Sequence, residues 1–360
     1  MQNTKKAPKK GMRLLLMVFG GILAVMLLAV AALVAIPLME RVDATPVAGS
    51  ADWMARLPDD VPLGELSIPG THDAGTQYVQ LGFFSKCQAR SVGQQLEDGF
   101  RYLDIRLAVS GDGLGLNHGF CECRTGAAPW SERLMLEDVL EDCYGFLSAH
   151  PTEAVIFAVK QEHGDESVAE FQRILDRYIQ EDDERWYLGS ELPSLGEARG
   201  RLILLRRYDD EAGLGTNAGI ALIWPNQNGY DDPARAFSDQ DCSVGSLALA
   251  VQDRYEYDGE EKWAAFCTEA DNSDAVVLRF LSTKGHMTFS GIRIVMPKSS
   301  TPGCLRFARV RIYLWGGRSL TLAMPGSPRR SMSRISEPCM APGKAKRAAF
   351  RRRGAPPAFV

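Results

Sequence analysis

What the sequence lacks sets its first bounds. From Leu14 to Met39 there is no charged residue, a run longer than the about 20 apolar residues a helix needs to cross a bilayer core. Acids almost vanish after residue 290: Glu337 stands alone against 15 Lys/Arg in residues 291–360. The remaining chain holds 26 bases and 44 acids, a net charge of −18, so it lacks the basic face a phosphate backbone demands and nucleic acid is excluded as a partner. No cysteine precedes Cys87, which argues against a lipoprotein-type leader. The body shows no internal repeat and is read as one catalytic domain.

Lys5, Lys6, Lys9, Lys10 and Arg13 precede the uncharged run. The positive-inside bias therefore keeps residues 1–13 cytoplasmic and sends the rest outward. Residues 14–39 read as a transmembrane signal anchor, with a cleaved signal peptide and a secreted product as the alternative. Residues 40–58 form a linker. The six body cysteines, Cys87, Cys121, Cys123, Cys143, Cys242 and Cys267, are even in number and in an oxidising compartment read as disulfides rather than zinc ligands.

Across residues 59–290 apolar strand-like runs alternate with amphipathic helical stretches, the pattern of a parallel sheet with crossover helices. Strands are expected at Glu65–Ile68, Tyr102–Ala108, Leu114–Asn117, Ala154–Val159, Leu202–Leu205, Ile220–Trp224 and Leu247–Gln252, with helices at Ser131–Ala149 and Glu166–Gln180. The fold class is α/β, a distorted (β/α) TIM-type barrel. From residue 291 the Arg/Pro/Ala/Gly-rich sequence reads as an atypical basic tail, either disordered or translated from a shifted frame, that supplies no closing strand. The barrel is thus expected to be incompletely closed at its C-terminus.

Barrel enzymes place catalytic groups at strand ends. His72 and Asp73 follow the first strand in Ile-Pro-Gly-Thr-His72-Asp73. Asp104 and Arg106 share one face of the second strand, and His118 ends the third in Asn117-His118-Gly119. Two imidazoles can exchange protons with an attacking hydroxyl and a leaving alcohol while a guanidinium fork holds the phosphoryl oxygens.

These segments, with Val155-Ile-Phe-Ala-Val-Lys160, Leu204-Leu-Arg-Arg207-Tyr208 and Val251-Gln-Asp253-Arg-Tyr255, resemble the X domain of bacterial phosphatidylinositol-specific phospholipase C over about residues 60–290. The resemblance implies His72 as general base, His118 as general acid and Arg106 as stabiliser of the phosphorane. Asp73 would assist the leaving-group proton, Asp104 would support Arg106, and Lys160, Arg207, Asp253 and Tyr255 would hold the inositol. Diacylglycerol and inositol cyclic phosphate would be the products, at a phospholipid membrane and by a monomer.

No cofactor or metal is expected, because a fixed guanidinium stands where calcium-using relatives carry acidic ligands. The aspartate that the family uses to orient its base histidine comes from a last strand, and nothing after residue 291 supplies an Asp. Two alternatives remain: an inactive membrane-tethered lipid-binding domain, and a metal-dependent glycerophosphodiester phosphodiesterase. Phe83 and Phe84 are expected as a buried pair in a βα loop, with Leu81 and Tyr78 as further candidates for a membrane-facing rim.

Overall fold

The computed structural model describes residues 9–39, 48–128, 130–225, 237–257, 259–268, 274–282 and 311–315. Gly285–Ser290 and most of the basic tail lie outside the described residues, so the expectations placed on them do too. The uncharged run forms helix α1 (Lys9–Met39), and its Gly11–Ala32 stretch has the length and composition of a membrane span.

The body begins with strand β1 (Ser67–Thr71), helices α2 (Gly82–Ser85) and α3 (Val92–Glu97), then strands β2 (Tyr102–Ser110), β3 (Gly113–His118) and β4 (Cys121–Glu122). It continues with α4 (Leu136–Ala149), β5 (Val155–Gln161), α5 (Val168–Gln180), β6 (Trp186–Tyr187), α6 (Leu195–Ala198) and β7 (Leu202–Arg206). The last described elements are β8 (Ile220–Ile223), β9 (Ser243–Val244), β10 (Leu247–Gln252), α7 (Gly259–Cys267), β11 (Val276–Phe280) and β12 (Arg311–Trp315).

Strands β2, β5, β7 and β8 pair in parallel on one side, and β10, β11, β12 and β1 on the other. The sides are joined loosely. Between β8 and β10 the short β9 runs antiparallel to both, and β1 meets β2 only at Gly70 with Tyr102 and Thr71 with Leu103. The barrel is distorted accordingly. One expectation is corrected: Arg311–Trp315, read as tail, forms a strand between β11 and β1, where the Ile-Tyr-Leu-Trp run supplies the β-favouring residues.

Strand alternation sorts the core into two layers. Leu103, Ile105, Leu107, Val155, Phe157, Val159, Leu202 and Leu204 face outward and pack under α4 and α5. Tyr102, Ile156, Ala158, Ile203, Leu205, Ile220, Leu222, Leu249, Val251, Val276 and Leu278 face inward. Each inward column is apolar low in the barrel and is continued toward the C-terminal ends of the strands by the residues that make the site.

Two helix starts are set by side chains. Ser167 caps α5 by accepting from the Glu170 N–H. Helix α4 starts at Leu136, not at Ser131 as expected, because residues 133 and 135 are drawn into bridges with Arg124 and Gly115 and Asp138 accepts from the Met135 N–H.

The segment entering the body is not free linker either, since Met54 is buried. Arg101 and Glu153, both fully buried and 2.9 Å apart, pin it: the guanidinium donates to the Ser50 and Ala51 carbonyls while Glu153 accepts from the Met54 N–H. Breaking a buried pair strands the surviving charge and costs about 3–5 kcal/mol. Glu153→Leu is expected to lower stability to urea by about that amount, and an unchanged midpoint contradicts this account of the pin.

Candidate active site

The parallel strands all end at one mouth, where their inward columns turn polar. Past Gly70 the β1 column reaches His72, and the next residue, Asp73, takes φ +47°, a left-handed conformation that Asp tolerates better than most residues. That turn is held by Ala74 N–H donating to the Asp104 carbonyl and by Thr76 Oγ1 donating to the Asp73 carbonyl. On β2 the column continues from Tyr102 to Asp104 and Arg106, and on β5 from Ala158 to Lys160 and Glu162.

The geometry is organised by Asp73 and Asp104, both buried. Asp104 Oδ2 sits 2.8 Å from His72 Nδ1 and 3.2 Å from Arg106 Nε. With Nδ1 so engaged, His72 Nε2 faces the opening, 3.4 Å from Asp73 Oδ2. The same oxygen lies 3.3 Å from His118 Nδ1, and the two imidazole centroids are 6.5 Å apart. Asp73 Oδ1 meets Arg106 Nε at 3.3 Å. Arg106 Nη1 is taken by Glu162 at 3.0 Å, which accepts from the Gly119 N–H as well and pairs with Lys160 at 2.6 Å.

Charge follows from this packing. Burial opposes a charged imidazole at His72, yet the Asp73 and Asp104 carboxylates outweigh both burial and Arg106 and raise it to about 10. For His118, burial is outweighed by Cys87 and Asp73, which raise it to about 9. Burial would lift Glu162, but Arg106 and Lys160 hold it down at about 2. Burial would lift Asp104 too, but Arg106 and His72 hold it well below the usual carboxylate range, so Asp104 and Glu162 are anions whose partners are fixed.

All five residues expected to be catalytic, His72, Asp73, Asp104, Arg106 and His118, come together. Asp104 does more than support Arg106: it holds His72 Nδ1 as well, so an orienting carboxylate is present without one from a last strand. Of the four residues expected at the inositol, Lys160 stands beside Glu162. Arg207 stacks 3.7 Å over Trp224 and lies 3.7 Å from Asp104 Oδ1. Asp253, in the turn after β10, is near enough to act on Arg207. Tyr255 follows in that turn, its N–H donating to the Asp253 carbonyl.

Sequence reasoning missed Glu162, Trp224, Phe280 and Cys87. Glu162 and Trp224 were legible, since each continues the inward column of an expected strand by one step of two residues; Phe280 ends β11, a strand the sequence reading did not propose, and meets His72 edge-on at 5.9 Å. Cys87 was read as half of a disulfide. That reading is corrected, because all six body cysteines are free thiols. The Cys87 Sγ lies 3.6 Å from His118 Nδ1 and 4.0 Å from Asp73 Oδ2. Phe84 is not buried as expected either, but 63% exposed.

The chain is similar to known proteins of one kind. Residues 61–208 match the family described as phosphatidylinositol-specific phospholipase C, X domain. Over 250 residues the chain is 27% identical to a 1-phosphatidylinositol phosphodiesterase of Staphylococcus aureus (strain Newman), covering 64% of this chain and 74% of that relative. It is 31% identical over 192 residues to the Listeria monocytogenes protein of the same name, covering 50% and 57%. A solved mutant of phosphatidylinositol-specific phospholipase C from Staphylococcus aureus overlays with TM-score 0.53 at 25% identity, covering 66% of this chain and 79% of that one. The matched stretch carries both histidines, both shared carboxylates, Arg106 and Glu162, and it is residues 61–208 of the chain that carry the phosphatidylinositol-specific phospholipase C X domain.

Proposed function

We propose that this protein is a phosphoric diester lyase that cleaves phosphatidylinositol-like lipids to diacylglycerol and inositol cyclic phosphate. The observation that carries the reading is the pair of imidazoles facing across Asp73, with Arg106 held beside them by three carboxylates. His72 Nε2 takes the proton of the inositol 2-hydroxyl as its oxygen bonds to phosphorus. The bond from phosphorus to the glycerol oxygen breaks, and His118 supplies the proton that oxygen needs. Arg106 offsets the charge that builds on the phosphoryl oxygens. Asp73 links the two proton carriers, Asp104 orients His72, and Lys160, Arg207, Asp253 and Tyr255 hold the inositol hydroxyls, with Trp224 bracing Arg207.

A guanidinium supplies the positive charge, so the reaction runs without a metal or other cofactor. Residues 59–290 are the catalytic domain, acting as a monomer. Helix α1, through its uncharged run from Leu14 to Met39, serves as a signal anchor, or as a leader before secretion, and puts the domain outside the cytoplasm. Leu81, Phe84 and Phe120 are exposed on two segments bonded side by side, Gln80 N–H donating to the Glu122 carbonyl. This rim beside His118 dips into the lipid surface.

The direct test is release of inositol 1,2-cyclic phosphate from phosphatidylinositol vesicles in EDTA. Wild-type chain is expected to form it, and His118→Ala and Arg106→Met to lose about 10²–10⁴-fold in rate. A folded protein that binds the vesicles and releases nothing overturns the reading in favour of a lipid-binding domain.

The pH dependence has a definite sign. The base must be neutral and the acid protonated, so in EDTA kcat/KM rises with pH up to the His118 value of about 9, is level from there to the His72 value of about 10, and falls above it. The optimum is alkaline, and Asp73→Asn, which removes a carboxylate that raises both, moves it toward acid. A profile centred at neutral pH in both proteins contradicts this assignment.

For the rim, withdrawing one Phe from lipid forfeits about 1.5–3 kcal/mol. Phe84→Ser is therefore expected to weaken sedimentation with phosphatidylinositol vesicles by roughly tenfold or more. Equal binding by variant and wild type removes the rim from the account.

A further inference from the structure

At the mouth of the barrel the turn after β1 and the loop after α2 bring three ligand atoms together, and the end of β3 sets a fourth beside them. His72 Nε2, Asp73 Oδ2 and Cys87 Sγ all lie within 4.8 Å of one another, and His118 Nδ1 flanks two of them. The separations are 3.4 Å from His72 Nε2 to Asp73 Oδ2, 3.3 Å from Asp73 Oδ2 to His118 Nδ1, 3.6 Å from His118 Nδ1 to Cys87 Sγ and 4.0 Å from Cys87 Sγ to Asp73 Oδ2. Zinc bonds of about 2.0–2.3 Å in a tetrahedron put neighbouring ligand atoms about 3.3–3.8 Å apart. Three of those four separations fall in that window and the fourth exceeds it by a few tenths of an ångström; of the other two that a tetrahedron has, His72 to Cys87 lies within 4.8 Å, and His118 closes on His72 by turning its ring toward the shared Asp73 oxygen. We propose that the catalytic cleft is also a site for a thiophilic divalent cation of the zinc class, held by His72, Asp73, Cys87 and His118, and that its occupation switches the enzyme off.

The surroundings favour this ligand set. His72 Nδ1 is bound by Asp104 at 2.8 Å, the carboxylate–histidine arrangement that fixes a metal-binding ring with its other nitrogen outward. Asp73 gives Oδ1 to Arg106 and keeps Oδ2 for the cleft. The Cys87 main chain is anchored by its N–H donating to Thr76 Oγ1 at 3.1 Å, and the residue is only partly buried, so ions reach it from solvent.

The neighbouring guanidinium is no bar to a soft ion. Arg106 is balanced by Asp104 and Glu162, while the thiolate and the Asp73 carboxylate together neutralise a divalent cation. Calcium, which needs six or more oxygens, finds one carboxylate oxygen here. Sulfur and imidazole select for zinc and its soft neighbours.

Binding releases the thiol proton and the imidazole protons to solvent and forms bonds to the metal in their place. A metal on His72 Nε2 occupies the lone pair that would take the substrate proton. The inhibitory consequence rests on the catalytic reading above, whereas the site itself does not.

The test uses the full chain in detergent micelles, stripped with chelator, with Co²⁺ and Zn²⁺ as probes and Ca²⁺ as control. Wild-type protein is expected to give a thiolate-to-cobalt charge-transfer band that Zn²⁺ displaces and Ca²⁺ does not. Cys87→Ser and Cys87→Ala are expected to lose that band, and Cys267→Ser to keep it. Losing a direct ligand exceeds the 10–100-fold cost of losing an outer partner, so zinc inhibition, measured against each variant's own metal-free rate, is expected to weaken by more than about 100-fold in both Cys87 variants. EDTA restores the wild-type rate. Zinc binding or inhibition unchanged in folded Cys87 variants, or equal competition by Ca²⁺, overturns the proposal. A Cys87-dependent band in a chain that releases no cyclic phosphate supports the site and removes the lipase reading; an active chain without the band does the reverse.

Discussion

Asp104 is shared. One of its oxygens holds the His72 ring and the Arg106 guanidinium at once, and Asp73 repeats the device between His72, His118 and Arg106. Two buried anions would be costly alone; here each is matched by cations on neighbouring elements, and each cation is aimed by the anion that neutralises it. The barrel exists, from this viewpoint, to bring β1, β2 and β3 close enough for that exchange. The Arg101–Glu153 pair plays a plainer part far from the mouth, fixing the entering segment against the body.

The same sharing explains why the site does not depend on a carboxylate from the last strand. An imidazole needs one nitrogen occupied for the other to be presented in a defined tautomer. In this chain β2 provides that partner from the strand next to β1, two residues before the arginine it also steadies. The arrangement couples base and phosphate-binding cation: moving Asp104 disturbs both. It also leaves Asp73 Oδ2, His72 Nε2 and His118 Nδ1 facing the same space as the Cys87 thiol, where proton traffic and metal capture compete for one set of atoms.

Much of this was legible in the sequence. Strand parity fixed Asp104 and Arg106 to one face before any coordinates. The same parity, run two residues further on β5 and β8, would have found Glu162 and Trp224. Three things were not readable. The first strand was expected to stop at Ile68, yet Pro69 and Gly70 lie within β1, where the ladder to β2 starts only at Gly70 and the missing Pro N–H is tolerated. Ser131 looked like a helix cap, but hairpin bridges claim the residues after it. The even cysteine count suggested disulfides, and only the folded loop after α2 reveals that Cys87 faces histidine instead. In each case a contact distant in sequence overrode a local signal.

The central claim is that Asp104 orients His72 and, with Asp73, keeps the resting ring charged, and histidine-selective NMR titration of the EDTA-treated protein tests it most directly. The account predicts one imidazole, lost in His72→Ala, that titrates near 10 in wild type and below that in Asp104→Asn, with the signature of the Nδ1–H tautomer weakened once the ring is neutral. A His72 that titrates near the ordinary histidine value of about 6.5, and does so equally in the Asp104 variant, would contradict it.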